Sequence, residues 1–361
     1  MNASACKVLI MAGGTGGHVY PALTVAEKLV NKNAMVEWLG TRRGIENRLV
    51  PQHNLPLHFI SITGLRGKGV LRWLGMPWQL IRAVVQAIQL IRQIKPDVVL
   101  GLGGFASGPG GIAAWLLKKP LVVHEQNAVA GTTNRWLNRF AARSLQAFPN
   151  SLPGGITVGN PVRDSILNIA PPMERLGLAR ERAQTRLLIL GGSLGALKLN
   201  QLVPQAIALL PGSKRPVIWH QTGEAHHATT MAGYQAAQIE GKVEPYIEAM
   251  QEAYSWADLV ICRAGALTVS EIAAVGLAAV FIPFPFAIDD HQTKNAEYLV
   301  AANAAKLIPE VQLTPQSLAT LLSELLGDRS KLLIMAENGR KVGVRNAADI
   351  VADTCLELAH G

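Results

Sequence analysis

The sequence predicts an α/β protein of two doubly wound, Rossmann-like domains facing one another across a cleft. Short apolar runs alternate with helical patterns from end to end, the signature of parallel sheets flanked by helices. An apolar strand, a glycine-rich turn and a helix open the chain at residues 7–18, and the same design recurs at 186–196. At 361 residues the chain exceeds one typical core, so two domains of roughly 150 to 180 residues are expected.

In the first half the apolar runs place strands near 7–12, 35–39, 57–60, 97–101, 120–124 and 144–148. A helix near 78–94 shows its period in Ile81, Val84, Val85, Ile88 and Ile91 and stops at Lys95-Pro96-Asp97. From 159 to about 184 the order weakens through Asn160-Pro161, Pro171-Pro172 and a charged run at 174–182. This linker separates a first domain, 1–160, from a second, 161–361. Strands follow near 186–191, 217–220, 242–244, 258–262, 278–283 and 305–308. Helices from about 314 end the chain, and the last of them can pack back on the first domain.

Composition narrows the class further. Of two charge-free stretches, 98–117 is long enough for a membrane span and 272–288 approaches that length. Gly101, Gly103, Gly104, Gly108, Pro109, Gly110 and Gly111 break the first, and Gly276, Pro283 and Pro285 the second. Cys6, Cys262 and Cys355 show neither metal spacing nor pairing, and no cleavable apolar signal opens the chain, so a reducing cytoplasm is expected. A net charge of +9 favours an acidic partner: nucleic acid, a phosphorylated metabolite or an anionic membrane surface.

The turn Ala12-Gly13-Gly14-Thr15-Gly16-Gly17-His18 carries the most chemistry. A buried strand breaks into four glycines and restarts as a helix at Pro21, so several backbone N–H groups and a positive helix end converge where a phosphate or oxyanion would sit. His18 at its rim either caps local backbone or takes a proton near neutral pH. A dinucleotide fingerprint fails here. Val19 stands where its third glycine belongs, and the second strand ends in Gly40-Thr41-Arg42-Arg43 without the acid that holds a ribose. No Gly-Lys-Ser/Thr stands at Walker spacing either.

A third glycine loop, 101–111, follows the apolar strand Val98-Val99-Leu100, and three such loops argue for more than one phosphate group. Taken singly, each is as readily a packing device. Cys262 to Glu271 form a further strand-to-helix turn of small residues. There Glu271 either accepts both hydroxyls of a ribose or serves as capping-box partner to Thr268. Asp289 or Asp290 reads as a helix cap, which leaves Gln292 as a sugar-hydroxyl ligand. His124-Glu125-Gln126-Asn127 ends a strand at the ligand edge and lacks the second histidine of a zinc motif.

With these motifs in hand, the sequence resembles the MurG family of bacterial peptidoglycan glycosyltransferases. They add N-acetylglucosamine to undecaprenyl-diphospho-muramoyl-pentapeptide. The match spans nearly the whole chain in eight ordered motifs, at 13–18, 63–69, 103–111, 124–127, 159–163, 191–196, 263–271 and 289–296. The resemblance implies GT-B architecture, with UDP-N-acetylglucosamine mainly on the second domain. Ala266, Leu267, Thr268, Val269, Ser270 and Glu271 would surround the nucleotide, with Glu271 on the ribose. Ser193 and Arg163 would contact the diphosphate, Ile247 the uracil and Gln292 the sugar, while Thr15, Gly16, Gly17 and Asn127 reach in from the first domain. Gly13, Gly14, Gly103 and Gly104 would receive the acceptor diphosphate. The sequence departs from the usual pattern at Leu194, where Gln is common, which puts one polar donor contact in doubt.

The implied reaction is direct displacement. The muramoyl 4-hydroxyl attacks the anomeric carbon opposite the UDP leaving group, giving a β linkage from an α donor. His18 is the first candidate for general base, with Glu125 as alternative or orienting group. No cofactor or metal is expected, since a helix N-terminus and Arg163 can meet the charge of the leaving diphosphate. The lipid-linked acceptor implies a peripheral protein on the cytoplasmic face of the bacterial inner membrane, with other cell-wall synthesis proteins as further partners. Arg66, Lys68, Arg72 and Arg82 among Val70, Leu71, Trp73, Leu74, Met76 and Trp78 suit an anionic interface, or else a helix with its apolar face in the domain core. The rivals are another UDP-sugar enzyme of the same fold, such as a UDP-N-acetylglucosamine 2-epimerase, and a basic nucleic-acid-binding protein. Dispersed charges and phosphate loops argue against nucleic acid as a partner.

Overall fold

The computed structural model describes residues 6–62, 76–177, 184–192 and 195–360. The chain divides into two compact units, Met1–Arg163 with Arg345–Gly361, and Asp164–Val344.

Unit 1 is a seven-stranded, wholly parallel sheet in the order β3-β2-β1-β4-β5-β6-β7. The strands are β1 (Lys7–Ala12), β2 (Met35–Gly40), β3 (Leu57–Phe59), β4 (Val98–Gly103), β5 (Leu121–Glu125), β6 (Arg143–Gln146) and β7 (Ile156–Thr157). The helices are α1 (Gly16–Asn31), α2 (Glu46–Gln52), α3 (Met76–Ile94), α4 (Ser107–Leu116) and α5 (Thr132–Leu137). Strand alternation sorts the core into two layers. Val8, Ile10 and Ala12 pack with α1, while Leu9 and Met11 face Ala83, Ala87 and Ile91 of α3 and Ala113 of α4. The strand order reverses beside β1, between β2 and β4, and ligands of such folds bind at the carboxyl ends of the strands there.

Two expectations need correction. α1 begins at Gly16, five residues before Pro21, because Gly16 and Gly17 take helical geometry and the proline forfeits only its own bond to the carbonyl four residues back. On α3, Ile81 and Val85 are exposed, and the buried series is Ala83, Ala87, Ile91 and Ile94. Small residues there let the helix lie close to the sheet.

Unit 2 starts with α6 (Asp164–Leu167) and α7 (Pro172–Gly177), both inside the stretch read as linker. Its parallel sheet has the order β10-β9-β8-β11-β12-β13. The strands are β8 (Arg186–Leu190), β9 (Val217–Gln221), β10 (Gly241–Glu244), β11 (Leu259–Cys262), β12 (Ala278–Phe281) and β13 (Ala305–Leu307). Around them lie α8 (Leu197–Ala208), α9 (His227–Ala236), α10 (Met250–Trp256), α11 (Ala266–Val275), α12 (His291–Ala301), α13 (Pro315–Leu326) and α14 (Arg329–Val342).

The last helix, α15 (Ala347–His360), belongs to unit 1. Its fully buried Val351, Ala352 and Cys355 join the core layer of α1. Ion pairs Lys28–Asp349, at 3.7 Å, and Lys32–Asp353 flank that contact. Exposed pairs contribute less than about 1 kcal/mol each, whereas burying a side chain the size of valine contributes about 1.5 kcal/mol or more, so the apolar stripe decides the docking.

A polar cluster runs through the core of unit 2. His220, at the end of β9, lies 2.9 Å from the Tyr234 hydroxyl through Nδ1 and 3.1 Å from Asn200 Oδ1 through Nε2. Asn200 Nδ2 in turn donates to the Thr222 carbonyl. Asn200 Oδ1 can only accept, so Nε2 carries the proton and Nδ1 accepts from tyrosine, which makes a neutral ring. Burial pushes its pKa down to about 3. A folded pKa below the unfolded value means that the unfolded chain binds the proton first. The stability is therefore full above about pH 6.5 and falls as pH drops toward 3. Between pH 7 and pH 5 this group should cost unit 2 about 2 kcal/mol. Urea denaturation at the two pH values should show that loss, and a His220→Gln protein should lack it.

Candidate functional site

In unit 1 the carboxyl ends of β1 and β4 meet. Register between them holds from Val8↔Val98 to Met11↔Gly101, then slips so that Ala12 pairs with Gly103. That slip brings the two glycine turns into contact. A Cβ on Gly104 (φ +86°) would lie 2.3 Å from the Gly13 carbonyl oxygen, and one on Gly103 (φ +107°) 2.9 Å from the His18 ring. Only glycine meets both the torsion and the closeness. The third loop ends sooner than expected: α4 starts at Ser107, and Gly110 and Gly111 lie within it, pressed on Met11 and Leu137. These two let a helix approach the sheet.

Glu46, the first residue of α2, is fully buried under the β1 turn. Its Oε2 accepts from the Gly14 N–H at 2.9 Å. Its Oε1 accepts from the Thr41 N–H and hydroxyl, both at 2.9 Å. A Cβ on Gly13, Gly40 or Gly44 would come within 3 Å of this side chain, so three glycines make its berth. Sequence reasoning missed it. Its signal was an acid six residues beyond the end of β2, near where a Rossmann ribose ligand would stand.

The Gly14 N–H is thus committed to Glu46, and the Gly103 N–H to the Ser107 hydroxyl at 3.2 Å. What the turn offers an anion is the start of α1, where Gly16 and Gly17 have no intrahelical acceptor and Thr15 makes no side-chain cap. His18 Nδ1 lies 3.2 Å from the Thr15 hydroxyl, with the ring beside Gly103. Arg163 stacks on Tyr20 of α1, 5.3 Å from the ring centroid.

At the end of β5, Glu125 is buried and receives four N–H groups. Oε1 takes Asn127 N at 2.8 Å and its Nδ2 at 3.2 Å, and Oε2 takes Gly131 N at 3.1 Å and Asn134 Nδ2 at 2.9 Å. A carboxylate so enclosed orients its loop and leaves no ready lone pair for a substrate hydroxyl. His124 lies deeper, with Nε2 at 2.9 Å from the Gly159 carbonyl and burial holding its pKa down. Gln126, within the 124–127 motif, and Asn134, which carried no sequence signal, complete this network. Among the described residues no three His, Cys, Asp or Glu side chains are grouped to hold a metal ion.

In unit 2 the strand order reverses beside β8, between β9 and β11, and the same device recurs. Gly192 (φ +79°) and Gly195 (φ +78°) shape the turn after β8, and a Cβ on Gly195 would lie 2.3 Å from the Thr222 carbonyl oxygen. Ser193 and Leu194 between them lie outside the described residues. After β11, Gly265 is the N-cap of α11 and the helix begins at Ala266 with no side-chain cap. Thr268 is then the third helical residue, so the capping-box reading of Thr268 and Glu271 fails. Glu271 sits buried in the second turn, with Oε2 accepting from the Tyr254 hydroxyl at 3.1 Å. Leu267, Val269 and Ser270 complete the two turns, with Val269 fully buried.

The far end of α11 is held by cations. Buried Arg175 donates to the Val275 and Gly276 carbonyls, and Arg340 to those of Ala274 and Val275. Burial, and then Arg340, bring the Arg175 pKa down to about 10, so it stays charged at neutral pH. Guanidinium groups at the negative end of a helix stabilise it and leave its positive end for an anion.

Other residues singled out in the sequence are placed as follows. The Ile247 N–H donates to Gln221 Oε1 at 3.1 Å. Gln292 Oε1 accepts from the Phe284 N–H at 2.9 Å. Asp290 is the N-cap of α12 in left-handed conformation, its Oδ1 accepting from the Thr293 hydroxyl rather than from backbone. Arg263 donates to the Ile282 and Pro283 carbonyls, pairs with Glu310 and lies over Phe284, all structural tasks.

Comparison with known proteins gives these sites a family. Residues 8–146 match the N-terminal domain model of glycosyltransferase family 28, and residues 186–351 its C-terminal domain model. The chain belongs to glycosyltransferase family 28. A relative from Cellvibrio japonicus is 55% identical over 98% of this chain and 99% of its own length. It is named UDP-N-acetylglucosamine–N-acetylmuramyl-(pentapeptide) pyrophosphoryl-undecaprenol N-acetylglucosamine transferase. The crystal structure of MurG from Acinetobacter baumannii superposes with a TM-score of 0.87 at 43% identity, covering 98% of this chain and 99% of that one. A UDP-GlcNAc 2-epimerase from Neisseria meningitidis shares the fold, with a TM-score of 0.69 at 14% identity over 97% of this chain and 100% of that one. The second likeness is one of fold alone.

Replacing Glu46 by Ala would strand the Gly14 and Thr41 donors beneath the turn. Thermal unfolding should show unit 1 destabilised by about 3 kcal/mol, a fall of roughly 6 to 12 °C.

Proposed function

We propose that this family 28 member transfers N-acetylglucosamine, with inversion, from UDP-GlcNAc to the 4-hydroxyl of undecaprenyl-diphospho-muramoyl-pentapeptide. The observation that carries the proposal is 55% identity, end to end, with a relative of that name. At the far lower identity of the epimerase, likeness extends to fold only.

In this reading unit 2 holds the donor. The uncapped start of α11, at Ala266 to Thr268, and the turn after β8 face the UDP diphosphate with Ser193, and Glu271 takes the ribose hydroxyls. Ile247 lines the uracil, and Gln292 offers its amide N–H2 to the sugar. Unit 1 holds the acceptor diphosphate at Gly13 and Gly14 and at Gly103 and Gly104. Because the Gly14 and Gly103 N–H groups are spent internally, the N–H groups of Gly16 and Gly17 and the Arg163 guanidinium supply the positive field.

The step is a single displacement. The 4-oxygen forms its bond to the anomeric carbon as the bond from that carbon to the diphosphate oxygen breaks, and the hydroxyl proton passes to His18. If Nδ1–H is donated to Thr15, the lone pair lies on Nε2, the nitrogen on the Gly103 side, where the acceptor loops meet. Negative charge growing on UDP is met by helix dipoles, so the reading needs no metal. Glu125 orients Asn127 and the loop behind it.

Membrane docking on the cytoplasmic face is also proposed. No described helix is long and apolar enough to cross a membrane. Arg66, Lys68, Val70, Leu71, Arg72, Trp73 and Leu74 lie outside the described residues. Of the described surface, Trp78 is 73% exposed on α3, with Leu80, Ile81 and Val85 exposed and Arg82 among them. Trp115 and Leu116 at the end of α4 and Trp136 on α5 add exposed apolar surface near Lys118, Lys119 and Arg139, and α4 packs against both α3 and α5. Amphipathic rings beside cations suit an anionic bilayer.

Incubation of the protein with labelled UDP-GlcNAc and a short-chain lipid-linked muramoyl-pentapeptide should yield a β-linked product. His18→Ala should lower kcat by about a hundredfold or more with UDP affinity little changed, and near-normal turnover would remove His18 from the chemistry. Trp78→Ser combined with Trp136→Ser should reduce flotation with anionic vesicles several-fold, and undiminished flotation would count against the docking surface.

A further inference from the structure

Unit 1 has a pocket of about 540 Å3 that the proposed chemistry leaves unused. Its walls are the segments that leave the carboxyl ends of β2 and β3, together with the outer side of α3. Three guanidinium groups line it, from Arg42, Arg43 and Arg82. Among the described residues none of the three is paired with a carboxylate. Arg42 lies over the Phe59 ring, 5.1 Å from its centroid, and the Ser61 N–H donates to Gln86 Oε1 at 2.8 Å, so two of the polar side chains are already positioned. Three unpaired forks around an aromatic and aliphatic wall form a receptor for a planar anion on a partly apolar chain.

We infer that this pocket binds a carboxylate of the acceptor's peptide, an inference that rests on the acceptor proposed above. The link is Glu46. Thr41, which lines the pocket, and Gly14, in the acceptor turn, bond to the two oxygens of that one carboxylate, each at 2.9 Å. Pocket and turn are therefore less than about 10 Å apart. Five residues of extended peptide reach up to roughly 17 Å, so a pentapeptide on a sugar held at the turn spans the gap. Its terminal carboxylate can meet two arginine forks, while Phe59, Ile60 and Ile62 cover apolar side chains along the way. Glu46 does not repel such a ligand at close range, since its oxygens face the Gly14 and Thr41 donors.

The test compares two water-soluble, short-chain muramoyl-diphosphate acceptors, one with a free pentapeptide carboxylate and one with that carboxylate amidated. Wild-type protein should use the free acid about tenfold better in kcat/KM, mostly through KM. Arg42→Gln combined with Arg43→Gln should erase the preference by weakening the acid alone. Its rate with the amide and its KM for UDP-GlcNAc should not move. Both arginines are exposed, and an unchanged melting temperature for the double variant accompanies the expected result. Equal use of the two acceptors by wild type would overturn the inference alone, as would a double variant that keeps the preference. A variant that keeps the preference but loses sedimentation with phosphatidylglycerol vesicles would reassign the pocket to lipid headgroups. Absence of transfer to either acceptor by wild type would overturn the proposed function itself, and this inference with it.

Discussion

One buried carboxylate organises the first unit. Glu46 gathers the turn after β1 and the segment after β2 onto its two oxygens. A carboxylate out of water is tolerated only when donors surround it. Here they come from main chain and one hydroxyl, and three glycines leave room for the side chain. The turn proposed to hold the acceptor diphosphate is thereby built around another anion, whose charge is met by its own donors.

The two units solve a common problem with the same parts. α1, α8 and α11 begin at the carboxyl edges of their sheets without side-chain caps. α13 begins with a capping box at Thr314 and Ser317, and α14 with Asp328 as its cap. A side-chain oxygen at a helix start satisfies the same donors that a phosphate would. Leaving it out costs about 1 kcal/mol per helix, and α9 and α10, which carry no candidate ligand, go without a side-chain cap as well. The cations on the far end of α11 act in the same sense, since Arg175 and Arg340 complement the dipole where no ligand is needed.

Much of this was legible in the sequence. Parallel strands read as continuous apolar runs, so among the described residues every strand but the two-residue β7 was found to within about two residues. The glycine turns and the duplicated opening gave the fold class. Harder were features that rest on distance along the chain. Glu46 serves a turn 32 residues away, and Arg175, read as part of a charged linker, serves a helix end 100 residues on. No period or local motif announces such partners. Local rules also misled where tertiary packing won. Pro21 suggested a helix start, yet the helix begins at Gly16. Thr268 and Glu271 had capping-box spacing but sit inside a helix whose start is fixed by Gly265.

The return of α15 to unit 1 bears on how the chain matures. Residues 164–344 form one compact unit placed within the sequence of the other, so ribosomal synthesis delivers an entire second sheet before the first unit receives its last helix. Until Val351, Ala352 and Cys355 emerge, the flank of α1 that they cover has no mate. The nascent amino-terminal portion must wait with that apolar strip open to chaperones or to other chains, while the inserted portion can consolidate first.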